Sequence, residues 1–307
     1  MRSIQLQKGF AFGKQLYQLH SFHGAHMRVA HDLLSSVAFL STGSEGDLTH
    51  QATAFLMLHK GALYLVTAKH VAESLGDNPY FVRFNRQKGE ALLPIDFAMG
   101  TEKLFCWFAH PEPSIDLAVL PFPIDIGAQG VVAVALNSEG AVKPGSPTSD
   151  AGCGDMCHVI GLFSAMAGKS RNIAVVHTGH IAAMADSKEL IPADNAGHPV
   201  ELEGYLVEIS NLSGLSGAPV FVRGGVELDV PINENDTVVI TALKPELKLL
   251  GVWAGSWDKP TSRINDRVPV GIGIVTPAYR LIELLDSPAV TENRKSWIRK
   301  SKSAKLD

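Results

Sequence analysis

The chain has 307 residues, 46% of them hydrophobic and 19% charged, an ordinary globular composition with enough apolar residues for a sizeable core. A net charge of −4, from 27 basic and 31 acidic residues, gives no electrostatic reason to expect a nucleic-acid or membrane partner. Three cysteines are too few for a disulfide framework, and no stretch reaches the ~18 consecutive apolar residues of a membrane helix.

The opening MRSIQLQKGFAFGKQ has neither an unbroken apolar run nor a small-residue cleavage site, so no signal peptide is expected and the expected location is the cytoplasm. Residues 1–34 read as an N-terminal extension. His20, His23, His26 and His31 fall there at helical-looking spacing, which suits either a metal or pH-sensitive cluster or, more simply, a mixed polar face.

From residue 35 onward the texture is β. Short runs rich in Val, Ile, Leu and Phe, such as SSVAFL (35–40), TAFLMLH (53–59), ALYLVTA (62–68) and YFVRF (80–84), are separated by Gly, Pro, Asn and Asp. LAVLPF (117–122), CHVIGLF (157–163), YLVEIS (205–210), APVFVR (218–223), TVVITAL (237–243) and LKLLGVWAG (247–255) continue the series. Such runs predict an all-β sandwich or barrel. HKG (59–61) predicts a hairpin turn.

AKHVAESLG (68–76) predicts a short helix stopped by Gly76. TPAYRLIELLDSP (276–288) predicts a second one, with Thr276 as N-cap, Pro277 at the first helical position and Pro288 closing it. RKSWIRKSKSAKLD (294–307) reads as a solvated basic tail. Cys153, Cys157 and His158 lie close in sequence, but no second pair exists to complete the four ligands of a structural zinc site; no metal and no cofactor are expected.

NLSGLSGAPVFV (211–222) is the stretch that carries chemistry. A nucleophile elbow places its histidine after the serine, and no histidine follows His198. A phosphate loop needs a lysine and a following helix; here the stretch has no lysine and enters an apolar strand. The order left is histidine, aspartate, serine, the one used on two-barrel β proteins. TAKH (67–70), DLAVL (116–120) and GLSGAP (214–219) supply it, with His70 and Asp116 46 residues apart and Ser216 a further 100 along.

These segments resemble the motifs of the trypsin-like (chymotrypsin-fold) serine peptidases, in particular the bacterial, disulfide-poor type. HQATAFLMLHKGALYLVTAKHV (50–71) resembles the family's first-barrel hairpin, LLGVWAGSW (249–257) its cleft strand and GIGIVTPAYRLIELL (271–285) its terminal helix.

The resemblance implies two six-stranded antiparallel barrels with the active site between them. The first spans about 35–125 and the second about 150–275; a short helix follows at 276–288, and residues 289–307 are left as tail. It implies His70 as base, Asp116 as its orienting group and Ser216 as nucleophile, with backbone N–H groups of Gly214 and Ser216 as the oxyanion hole. Ser210, Leu215, Ala254 and Gly255 are the substrate-binding residues it implies.

The expected activity is a serine endopeptidase acting on a protein or peptide substrate. The same cleft holding a peptide strand without cutting it and a hydrolase of simple esters are the other readings. Three departures bear on this. Leu215 stands where secreted members carry an aspartate that pairs with a clipped terminus, so control is expected from a regulatory partner, the substrate or loop ordering. Ala218 replaces a commoner glycine and adds a methyl to the loop. Ser210 is neutral, which predicts a small or medium apolar residue before the cut.

Overall fold

The computed structural model describes residues 3–11, 14–22, 29–95, 106–144, 150–195, 198–209, 213–231, 237–243, 247–260 and 267–303. The chain divides into two compact units, Met1–Ala30 and His31–Asp307. In the first, β1 (Ser3–Ala11) and β2 (Lys14–Phe22) form an antiparallel ladder from Ser3↔Phe22 to Ala11↔Lys14. His20 therefore lies on a strand, not at a helical spacing. His23 and His26 lie outside the described residues.

The second unit opens with α1 (His31–Leu34), β3 (Val37–Ser44), β4 (Asp47–His59), β5 (Ala62–Thr67) and α2 (Lys69–Leu75). Then come β6 (Tyr80–Asn85), β7 (Glu90–Ile95), β8 (Phe108–Ala109), β9 (Ala118–Pro121) and β10 (Leu136–Asn137). These strands make one eight-stranded sheet in the order β7-β6-β3-β4-β5-β9-β8, with β10 pairing β4 in parallel. The hairpin expected at HKG forms between β4 and β5, with Lys60 and Gly61 both at positive φ.

Later come β11 (Met156–Gly161), β12 (Val175–Ala183), β13 (Ile191–Asn195), β14 (His198–Leu202), β15 (Tyr205–Glu208) and β16 (Pro219–Arg223). They are followed by β17 (Gly225–Pro231), β18 (Thr237–Leu243), β19 (Lys248–Pro260) and β20 (Arg267–Pro277). β11-β12-β15-β20-β19-β16 close into a barrel, while β13–β14 and β17–β18 are separate two-stranded ladders. So the expectation of two closed six-stranded barrels holds for the second lobe. The first lobe is an eight-stranded sheet whose edges, β7 and the two-residue β8, do not pair with each other among the described residues.

Each lobe buries its own core. Ala52, Ala54 and Leu56 of β4 pack with Leu65, Phe84 and Phe122 in the first; Val159, Val207, Val220 and Trp253 fill the barrel. Burying each large apolar side chain is worth ~1.5–3 kcal/mol. Alternation along β4 sends Thr53, fully buried, to the other face, and that face meets the barrel.

The carboxyl-terminal part differs from expectation at three points. α3 runs Ala278–Asp286 with Pro277 in the cap position, and the Thr276 hydroxyl donates to Asp116 O instead of capping. α3 ends at Asp286, just before Pro288 as expected, but Pro288 also starts a further helix, α4 (Pro288–Ser303), since a first-turn proline lacks only an N–H that has no helical partner anyway. Arg294, read as the start of a solvated tail, is buried against Leu285 O and the Tyr64 hydroxyl.

Candidate active site

β5 ends at Thr67, the chain turns through Ala68 in extended conformation, and α2 begins, placing His70 in its first turn. β9 pairs alongside, Thr67 opposite Ala118, which brings Asp116 beside the helix start. The Asp116 carboxylate then makes two contacts with one residue. Oδ1 accepts from the His70 backbone N–H at 2.9 Å, and Oδ2 meets Nδ1 of the ring at 2.7 Å.

An ionised carboxylate only accepts, so Nδ1 carries the proton and Nε2 is left with its lone pair. Burial pulls the His70 pKa down, but the Asp116 hydrogen bond and charge, with help from Glu73, outweigh it, and the net shift is upward. Asp116 is 8% exposed and its carbonyl is held by Thr276 of β20.

The serine loop is anchored at every carbonyl from Ser213 to Ser216. Ser213 O accepts from Ser164 N (3.0 Å), Gly214 O from Thr53 Oγ1 (2.8 Å), Leu215 O from Ala218 N (2.8 Å) and Ser216 O from Thr53 N (3.0 Å). In a trans peptide the N–H points opposite to the preceding C=O. Fixing Ser213 O and Leu215 O therefore aims the N–H groups of Gly214 and Ser216 away from those anchors, and neither has a backbone acceptor among the described residues.

Gly214 has φ +98, and a Cβ there would come within 2.9 Å of the Leu162 side chain, so this turn requires glycine. The extra methyl of Ala218 is accommodated: it is fully buried and faces Gly161, where a Cβ would lie 2.9 Å away. Ser216 Oγ and His70 Nε2 are not hydrogen-bonded to each other here.

Of the substrate-binding residues, Ser210 lies outside the described residues. Leu215 is 1% exposed and packs in the barrel core. Its side chain does not face a cleft, because the loop turns its amides outward and so turns this side chain in. Ala254 is the unpaired residue of a β19 bulge, between Trp253↔Val275 and Gly255↔Ile274. Gly255 has open space where a Cβ would be. β16 pairs with β19 only as far as Val252, and Gly217 N–H to Trp253 O is the last bond beyond it, so the following residues present a strand edge unpaired among the described residues.

Two groups escaped the sequence reading: Thr53, whose hydroxyl joins the lobes at the loop, and Thr67, whose hydroxyl donates to the Thr53 carbonyl within the first lobe. A threonine on an otherwise apolar inward face, as in ATAF, is the only sign a sequence carries. Among the described residues no cluster of three or more His, Cys, Asp or Glu is placed to hold a metal. Cys153 is exposed, whereas Cys157 is buried and burial pushes its thiol up to about 12. No described helix is long and apolar enough to cross a membrane.

No protein-family model matches the chain, and no curated protein is significantly similar in sequence. Among solved structures it is similar to Rv3671c from M. tuberculosis H37Rv, in a mutant, inactive form. The identity there is 16%, over 82% of this chain and 87% of that one, with a TM-score of 0.42. It is similar at 14% identity, over 79% and 94%, to a glutamic-acid-specific serine protease that uses a histidine triad in substrate binding (TM-score 0.38). A third likeness, 11% identical over 78% and 85% with a TM-score of 0.36, is to a structure concerning the Sesbania mosaic virus VPg protein.

Proposed function

We propose that the protein is a trypsin-like serine endopeptidase. The observations that carry this reading are the His70–Asp116 pair, bonded at both ring and backbone, and a serine loop whose carbonyls from Ser213 to Ser216 are all tied down. His70 Nε2 takes the Ser216 proton as Oγ attacks the scissile carbonyl, then returns it to the leaving amine. Asp116 holds the tautomer and stabilises the transient imidazolium. The Gly214 and Ser216 N–H groups receive the developing oxyanion, each worth ~3 kcal/mol of transition-state stabilisation.

The open edge of β19 from Ala254 onward accepts an extended peptide strand by backbone pairing, and the neutral Ser210 favours a small or medium apolar residue before the cut. Three free cysteines suit a cytoplasmic protein. The lack of a hydrogen bond between Ser216 Oγ and His70 Nε2 favours a second reading, a cleft that binds a peptide without cutting it, although such contacts often tighten only when substrate is bound.

Intact-mass measurement after exposure to a fluorophosphonate separates the two. One adduct on the wild type, absent from Ser216→Ala, is the expected result. No adduct on the wild type, with the protein folded, would leave only the binding reading.

A further inference from the structure

Thr53 Oγ1 stands where three segments converge. It donates to Gly214 O at 2.8 Å and accepts from Leu162 N at 2.7 Å, while the Thr53 carbonyl accepts from Thr67 Oγ1 at 2.8 Å and its N–H donates to Ser216 O at 3.0 Å. The residue is fully buried, so none of these bonds competes with bulk water.

The Leu162 bond matters as much as the Gly214 one, because Ser164, two residues on, holds Ser213 O. One hydroxyl thus fixes the peptide after Gly214 directly and the peptide before it through a short segment. Both flank a glycine at φ +98, a residue with freedom to turn either peptide over if released. Leu215 contributes no charged anchor and lies in the core.

The far end of the 162–172 segment is clamped as well. Asn172 and Asn85 bond reciprocally, N to Oδ1 at 2.7 Å and Nδ2 to O at 3.1 Å, and buried Arg83 donates to Gly168 O at 3.0 Å.

We propose that Thr53 is the positioning residue of the serine loop, and that the loop is held in its amide-outward form by the first lobe itself, with no partner or clipped terminus needed to order it. This rests on the serine-peptidase reading of Ser216 and deepens it by assigning the control of that site to an internal anchor.

The test uses the purified full-length chain and the second-order rate of fluorophosphonate adduct formation at Ser216, read by intact mass across pH, for wild type, Thr53→Val and Thr53→Ser. Valine keeps the shape and removes the hydroxyl; serine keeps the hydroxyl. Wild type alone, with nothing added, reacts. Valine slows the plateau by roughly 10²-fold, the scale of a lost oxyanion donor, without moving the pH midpoint set by His70, and serine restores the rate. Thr53→Ala repeats the loss of the hydroxyl in case valine is not accommodated, with melting curves showing which variants fold.

Equal rates for wild type and the hydroxyl-less variants would overturn the proposal, as would a wild type that reacts only after a cell extract is added. A folded wild type that reacts under neither condition fails differently, by removing the serine-peptidase reading itself.

Discussion

Glu203 is 1% exposed, yet it is a charged residue in the wall between the barrel and α3. Arg280 grips it as a fork, Nε to Oε1 at 3.0 Å and the second nitrogen to Oε2 at 2.6 Å, and the Tyr279 hydroxyl donates to Oε1 at 2.6 Å. Burial alone would push the Glu203 carboxyl up; the Arg280 and Tyr279 bonds reverse this and hold it below its usual range.

Arg280→Met keeps most of the packing and leaves the carboxylate buried without a cation. Breaking one side of such a pair costs ~3–5 kcal/mol, and because Tyr279 still donates and Arg280 is 16% exposed, the lower figure applies. At ~2–4 °C per kcal/mol for a large domain, melting should fall by roughly 6–12 °C at neutral pH.

The sign with pH follows from linkage. In the wild type a depressed pKa gives stability above the unfolded value that is lost as pH falls. In the variant, desolvation without Arg280 raises the pKa, so Glu203 takes up a proton sooner. The gap between the two proteins therefore narrows on acidification. Adding Glu203→Leu to Arg280→Met should recover most of the loss, since an apolar pair avoids the uncompensated charge. Differential scanning calorimetry at several pH values reads all three. A gap below ~1 kcal/mol, or one unchanged between neutral and acidic pH, would refute the reasoning.

Three more outcomes are expected. The rate of Ser216 phosphonylation should rise with pH through a midpoint above 6.5, because the folded His70 pKa is raised and only the neutral ring is a base; Asp116→Asn should move that midpoint down and cut the rate by on the order of 10⁴. Gly217→Ala should abolish labelling and lower the melting temperature, because φ is +83 and the added Cβ would lie 2.0 Å from Thr67 Oγ1 and 2.3 Å from Thr53 O; wild-type labelling in that variant would contradict the packing described. Asp286→Ala should destabilise by ~1–2 kcal/mol in chemical denaturation, mainly by leaving the buried His59 Nε2 without its 2.8 Å partner. Since the Asp286 pKa is lowered by the Lys60 and His59 bonds in spite of burial, that contribution is present above the ordinary carboxylate range and fades as pH drops through the folded value.

What the sequence by itself determined is local. Apolar runs and turn residues mark the strands of both lobes, Gly76 stops the short helix, and the TAKH, DLAVL and GLSGAP segments name the three residues of the candidate site in their order. The tertiary structure decided what depends on distant partners. Closure is one such feature: the barrel closes through pairing of β16 with β11, more than fifty residues apart, while the first sheet ends on a two-residue strand. Helix ends are another, for Pro288 both follows the end of one helix and starts the next, and Arg294 of the second helix is buried with a bond to Leu285 O of the first. Leu215 was assigned to the cleft by position along the chain, but its burial depends on which way the loop's peptides face. That facing is set by Thr53, a residue 161 positions from Gly214, and hydrogen bonds at such separations leave no periodic trace in a single sequence.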